Sequence, residues 1–246
     1  MPTEDIQSLC QQGQAHLTAM RYLHAERVLE AAEAMALAEE DWDSLARLYM
    51  PLQECRRQKR QRCGEGMVRL DWTASAPGDV IDAREVARQI PHGQVLLAGW
   101  GSIEPACQLR ALAREQNLYL ETFLAAVYEL AGGARVVAIV PTDEVALPPP
   151  EPLPLDTLLR RLPPHSILIP LSELPSGARP GDACTYARTM SLWERLHLPF
   201  LSQADATPEP KARIEAYRRT IRVDYACELA HQRLSDTARE LSRNRS

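Results

Sequence analysis

Residues 118–130 read "LYLETFLAAVYEL", and the architecture of the middle of the chain turns on whether they form a strand or a helix. The apolar density of "FLAAVY" fits both. Their surroundings read as strands: "MVRLDWTA" (67–74), "QVLLAGW" (94–100), "ARVVAIVP" (134–141) and "SILIPL" (166–171) are short apolar runs bounded by glycine, proline and polar residues. "AGGA" (131–134) is a glycine-rich turn of the kind that closes an antiparallel hairpin. Helices fit at 83–90, 103–116 and 155–162. If 118–130 is a strand, these pieces make a small mixed sheet with helices on at least one face.

Outside this region the period changes. Residues 5–64 carry apolar side chains at helical spacing: Ile6, Leu9 and Leu17, then Tyr22, Val28, Leu29 and Ala32, then Leu45, Leu48 and Leu52. Three helices are predicted, with breaks near Met20–Arg21 and Glu39–Asp43. Pro51 is expected to kink or interrupt the third, and Gly64 to stop it. "VALPPPEPLPLD" (145–156) is an extended, proline-rich connector whose expected role is spacing, with polyproline geometry that a Pro-binding domain could read.

The segment "GQAHLTAMRYLHAERVLEAAEAMALAEEDW" resembles a degenerate tetratricopeptide repeat, with Gly13 in the first helix and Ala25, Leu29 and Ala32 spaced like the second-helix packing residues. "ARIEAYRRTIRVD" (212–224) resembles the second helix of such a repeat, with Tyr217 at its aromatic position. The resemblance covers about a third of the chain, at its two ends. It implies helix hairpins that bind a protein partner. The central region resembles no family.

The 246 residues carry a formal charge of −5 and are 45% hydrophobic, which is ordinary for a globular chain and ill suited to holding a phosphate backbone. The basic run "RRQKRQR" (Arg56–Arg62) is the one hint of a nucleic-acid or acidic partner, and its expected state is a solvated helix end. Cys10, Cys55, Cys63, Cys107, Cys184 and Cys227 contain no Cys-x-x-Cys pair, which excludes a zinc ribbon or a thioredoxin-type motif. The first residues lack the layout of an export signal, and no run is long enough to span a membrane. A cytoplasmic location is expected.

Two places carry candidate chemistry. In "LLAGWGSIEP", Gly99, Gly101 and Ser102 follow a strand and precede a helix, where backbone N–H groups can face an anion, and Glu121 stands about where a dinucleotide-binding fold puts its ribose acid. Glu104 occupies the third glycine position of that motif, so a structural turn competes with a nucleotide site. The second place is a pair of Glu-x-x-His echoes, "WERLH" and "CELAH". Glu194 with His197, and Glu228 with His231, each share a helix face as in two-metal carboxylate bundles, and Asp224 and Cys227 lie near the same face. The competing reading is an interhelical packing contact. No Gly-x-x-x-x-Gly-Lys-Ser/Thr, Gly-x-Ser-x-Gly or Ser-His-Asp pattern is present.

The fold expected is α+β: N-terminal helical hairpins (1–65), a small mixed sheet with helices (66–172) and long C-terminal helices (173–246). The leading function is a non-enzymatic protein-interaction or scaffolding module. The alternatives are a metal site at the Glu-x-x-His pairs and a nucleotide site at the Gly99–Ser102 loop.

Overall fold

The computed structural model describes residues 5–144, 146–177, 179–180 and 183–245, without the side chains of 179–180, 183–185 and 245; the Cys184 side chain thus lies outside the described residues. The strands are β1 (Met67–Thr73), β2 (Gly93–Trp100), β3 (Leu120–Glu129), β4 (Arg135–Val140), β5 (Ile167–Pro170) and β6 (Arg179–Pro180). The helices are α1 (Ile6–Thr18), α2 (Tyr22–Ala38), α3 (Trp42–Glu65), α4 (Ala83–Gln89), α5 (Glu104–Glu115), α6 (Leu155–Arg161), α7 (Ala183–Asp205), α8 (Pro210–Val223) and α9 (Glu228–Arg245). The fold is α+β. None of the described helices is long and apolar enough to cross a membrane.

The chain forms two units, Met1–Arg60 with His197–Ser246, and Gln61–Leu196. The three consecutive regions expected from the sequence are thus grouped differently, because the two helical ends share one core.

In the second unit, residues 120–129 are strand. The sheet order is β5-β4-β3-β2-β1-β6, with β1, β2 and β3 parallel and the remaining pairs antiparallel. Parallel neighbours need a crossover, and α4 and α5 supply it between β1, β2 and β3. Val95, Leu97 and Leu120 meet Val86, Leu109 and Ala113 of these helices on one face. Further along that face Leu124, Ala126 and Tyr128 meet Leu153, Leu158 and Leu162. Phe123 points the other way and stacks on Trp193 of α7, ring centroids 4.1 Å apart. β3 is therefore buried on both faces from Leu120 to Tyr128. A strand in that position loses its polar alternation, which is why its sequence fits two periods.

The proline-rich segment is not a free spacer. Leu153 bridges Leu130, the Tyr128 hydroxyl donates to Pro148 O (3.2 Å), and Trp100 Nε1 donates to Pro150 O (3.3 Å). With its own Leu153 buried in the same core as Leu158, the segment is tied down at several points.

In the first unit, α1 and α2 form a hairpin whose close approach requires Gly13: a Cβ there would sit 2.6 Å from Leu29. Asp5 caps α1 by accepting from Ser8 N at 2.6 Å. Ile6, Leu9, Leu29, Leu45 and Tyr49 share one core with Leu201, Tyr217, Ala230 and Leu234. Pro51 does not interrupt α3, which runs unbroken from Trp42 to Glu65. α7 continues through Pro199 to Asp205, and α8 stands between α7 and α9 in the chain.

Candidate functional site

The buried stripe of α3 does not end where its apolar residues end. Leu45, Leu48, Tyr49, Leu52 and Cys55 continue at the same three-and-four spacing into Arg56 and Arg60, which are 6% and 3% exposed. The expected solvated terminus is thereby corrected. Arg56 Nε donates to Glu26 (3.2 Å) and Nη2 to Glu30 (3.0 Å), while Lys59 Nζ donates to Glu26 at 2.8 Å. Glu26 and Glu30 stand one turn apart on α2, so the acidic pair and the basic pair face each other along two helices. Burial would raise the Glu26 pKa, but Lys59 and Arg56 hold it below the usual carboxylate range. The exposed members of the run are matched too, with Arg57 on Glu54 and Arg62 on Glu65. A run so neutralised is a poor phosphate-binding surface.

Arg56 also fixes the state of His231. Its Nη1 donates to His231 Nε2 at 3.1 Å, and a guanidinium can only donate. Nε2 is therefore the unprotonated nitrogen, and Nδ1–H donates to Cys227 O at 2.8 Å. Burial first, then the Arg56 charge, push the His231 pKa down to about 3.

His197 is in the opposite state. Its Nδ1 donates to Asp224 Oδ2 at 2.6 Å. The other Asp224 oxygen accepts from Arg60 Nη1 (2.7 Å) and Ala226 N (3.1 Å). Burial opposes the imidazolium, yet the bond to Asp224, helped by the nearby Cys227, outweighs it and lifts the His197 pKa to about 10. Lys59 Nζ and the Arg60 guanidinium lie over the Tyr225 ring, 4.3 and 4.8 Å from its centre.

These opposed histidines set the pH response of the helical unit. Unfolded histidine titrates near ~6.5. The His197 contribution is complete below that value and is lost as pH rises towards about 10. His231 refuses a proton that the unfolded chain accepts, so stability also falls as pH drops from ~6.5 towards about 3. Thermal unfolding is expected to peak near neutrality. In His197→Gln the decline between pH 7 and 9 should disappear while the acid decline stays; persistence of the alkaline decline would reject the assignment.

The Glu-x-x-His residues are thus not one ligand set. His197 is committed to Asp224, and His231 to Arg56 and Cys227 O. Glu228 is exposed and accepts from Gln53 Nε2 at 3.2 Å. Glu194 is exposed and belongs to the sheet unit. Among the described residues no group of three or more His, Cys, Asp or Glu side chains is placed to hold a metal. Sequence reading missed Arg56 and Arg60 as members of this cluster; their position in the α3 stripe was the available signal.

In the sheet unit, the Gly99–Ser102 loop is a tight turn bound to its own strands and helix. Gly99 and Ser102 form a β-bridge, Gly101 N donates to Val127 O at 2.9 Å, and Ser102 Oγ accepts from Glu104 N at 3.1 Å. Gly101 has φ +60°, and a Cβ there would meet Pro150 at 2.7 Å, so glycine is required by the turn and the proline-rich segment. Glu121 is not at this loop. It pairs in register with Gln94 while Gly99 pairs with Ala126, five residues or roughly 16 Å along the strand. Its carboxylate accepts from Gln94 Nε2 at 2.7 Å.

The same unit has an open groove of ≈ 690 Å³ at the β5 edge, lined by Leu130, Val136, Leu155, Leu168, Pro170 and Leu171 among others. Leu155 is 45% exposed, and Leu159, one turn further along α6, is 48% exposed.

No family model matches this chain, and neither a curated protein nor a solved structure matches it.

Proposed function

We propose that this chain is a protein-interaction module that receives an apolar segment of a partner protein in the groove beside β5. The groove itself carries this reading: it is open, its lining is dominated by aliphatic side chains, and Leu155 lies on its rim half in water. Two exposed leucines a helical turn apart on α6 cost solvation in the free chain and are repaired by a partner's apolar surface. β5 is an edge strand, so an extended partner segment also finds backbone groups to pair with. The tetratricopeptide-like spacing at the two ends points to the same class of function.

Each leucine is already about half buried, so withdrawing the remainder from water contributes about 0.7–1.5 kcal/mol. Leu155→Asp/Leu159→Asp is therefore expected to weaken partner retention at least tenfold in cross-linked co-purification, with an unchanged far-UV circular dichroism spectrum. Val80→Asp, at a side chain 93% exposed and outside the groove lining, should leave retention intact. Equal retention by the double variant would sink the groove reading.

A further inference from the structure

In the helical unit the α1–α2 hairpin brings two imidazoles together. His16 lies in the last turn of α1 and His24 in the first turn of α2, with ring centres 5.7 Å apart and ring planes inclined by 32°. We propose that His16 and His24 form a two-point chelate for a late first-row transition-metal ion, copper(II) by preference, which clasps the hairpin at its loop end.

The backbone makes the pairing. Gly13 lets α1 approach Leu29 of α2, and the chain then reverses within a few residues. Met20 takes the left-handed conformation at φ 55°, Arg21 N donates to His16 O at 2.9 Å, and His24 N donates to Arg21 O at 3.1 Å. His16 Nδ1 is screened from solvent and has no hydrogen-bond partner, a state of a ring nitrogen that a bound ion relieves. By contrast His92, His197 and His231 are each committed to a protein oxygen. Partial burial, then the charges of Arg21 and His24, hold the His16 pKa below its ordinary value, so the neutral, ligating ring prevails at neutral pH.

The separation suits one shared ion. A ring nitrogen lies about 1.1 Å from its ring centre and about 2.0–2.1 Å from a bound metal, so the metal stands about 3.2 Å from each centre. Two rings on one metal are then about 5.2 Å apart at the tetrahedral angle, and the observed 5.7 Å corresponds to an angle of about 125°. A modest turn of either side chain takes up the difference. Two neutral nitrogens suit copper, nickel and zinc, whereas magnesium and calcium take oxygen ligands. Arg21, bonded through its backbone to His16 O, is a cation close by and works against any metal. The ion at the head of the affinity order, copper(II), is therefore favoured. Two protein ligands fall short of the three that a catalytic zinc centre keeps, so water completes the shell and the ion exchanges.

The test uses the untagged full-length chain, stripped of metal by a chelator and titrated with copper(II) sulfate by equilibrium dialysis, with electron paramagnetic resonance on the loaded sample. About one copper per chain is expected, with hyperfine structure from a pair of nitrogens, and the loaded chain should unfold at a higher temperature than the metal-free one. His16→Gln and His24→Gln should each weaken binding at least about tenfold, because the second imidazole acts at high effective concentration only while both are present. His24 is exposed, so unchanged melting of metal-free His24→Gln separates loss of a ligand from loss of the fold. His92→Gln should bind copper as the parent chain does, and excess magnesium chloride should not displace it. Equal copper affinity in His24→Gln and the parent, a spectrum with a single nitrogen, or no binding by the parent would each overturn the proposal.

Discussion

Arg56→Met is expected to lower stability by about 3–5 kcal/mol, read as a shift in the urea midpoint of ellipticity at 222 nm. Methionine nearly fills the space, so the effect measures charge and hydrogen bonding rather than a cavity. The guanidinium is 6% exposed and serves Glu26, Glu30 and His231 at once. Without it Glu30 and the imidazole lose a donor in a low-dielectric setting, and Glu26 keeps only Lys59 of its two cations. The deficit should narrow in acid. Glu26 is held below its ordinary pKa, so its contribution is present above ~4.5 and is lost as pH falls through the folded value. Combining Arg56→Met with Glu26→Gln and Glu30→Gln should restore part of the loss, because neither carboxylate that lost Arg56 is then charged. A single-variant loss below about 1 kcal/mol would show that water reaches the cluster.

Phe123→Ala is expected to destabilise the sheet unit by about 3–5 kcal/mol. The ring is 1% exposed and lies in the strand that bonds β2 on one side and β4 on the other. Truncation removes the stack on Trp193 and leaves a void that a sheet hydrogen-bonded on both edges cannot collapse to fill. Tryptophan emission should shift to the red as Trp193 loses its cover. Leu155→Ala, at a half-exposed side chain, should cost no more than about 0.5 kcal/mol. Similar costs for the two variants would contradict the two-sided burial of β3.

Much of the element pattern is legible locally. Tyr22–Ala38 and Glu104–Glu115 follow the 3.6-residue period, and the glycine turn at 131–134 joins an antiparallel pair as its composition demands. Residues 118–130 are harder, since burial on both faces erases the alternation that marks a strand. The candidate sites divide for a different reason. Gly99, Gly101 and Ser102 look like phosphate ligands until Gly101 N is seen to be bonded to Val127 O, and the Glu121 offset from Gly99 suits a ribose acid only if the strands were in another register.

Glu194, His197, Glu228 and His231 show the same limit. Helical spacing does put each Glu and His one turn apart, but it does not say which neighbour an imidazole meets. His197 and His231 sit in similar sequence contexts, yet the first carries a proton through Asp224 and the second is kept neutral by Arg56.

The amino-acid order alone established an α+β chain with helical ends around a strand-rich middle, because turn residues and hydrophobic period act within a few positions of each other. It also marked the turn glycines and the α3 stripe. Packing assigned the rest. It closed the two ends into one core, turned a basic run from solvated charges into buried ion pairs, and gave two like histidines opposite protonation. These outcomes depend on pairs far apart in the chain, such as Arg60 with Asp224, and a charged side chain's place in a buried stripe does not say which distant partner will solvate it.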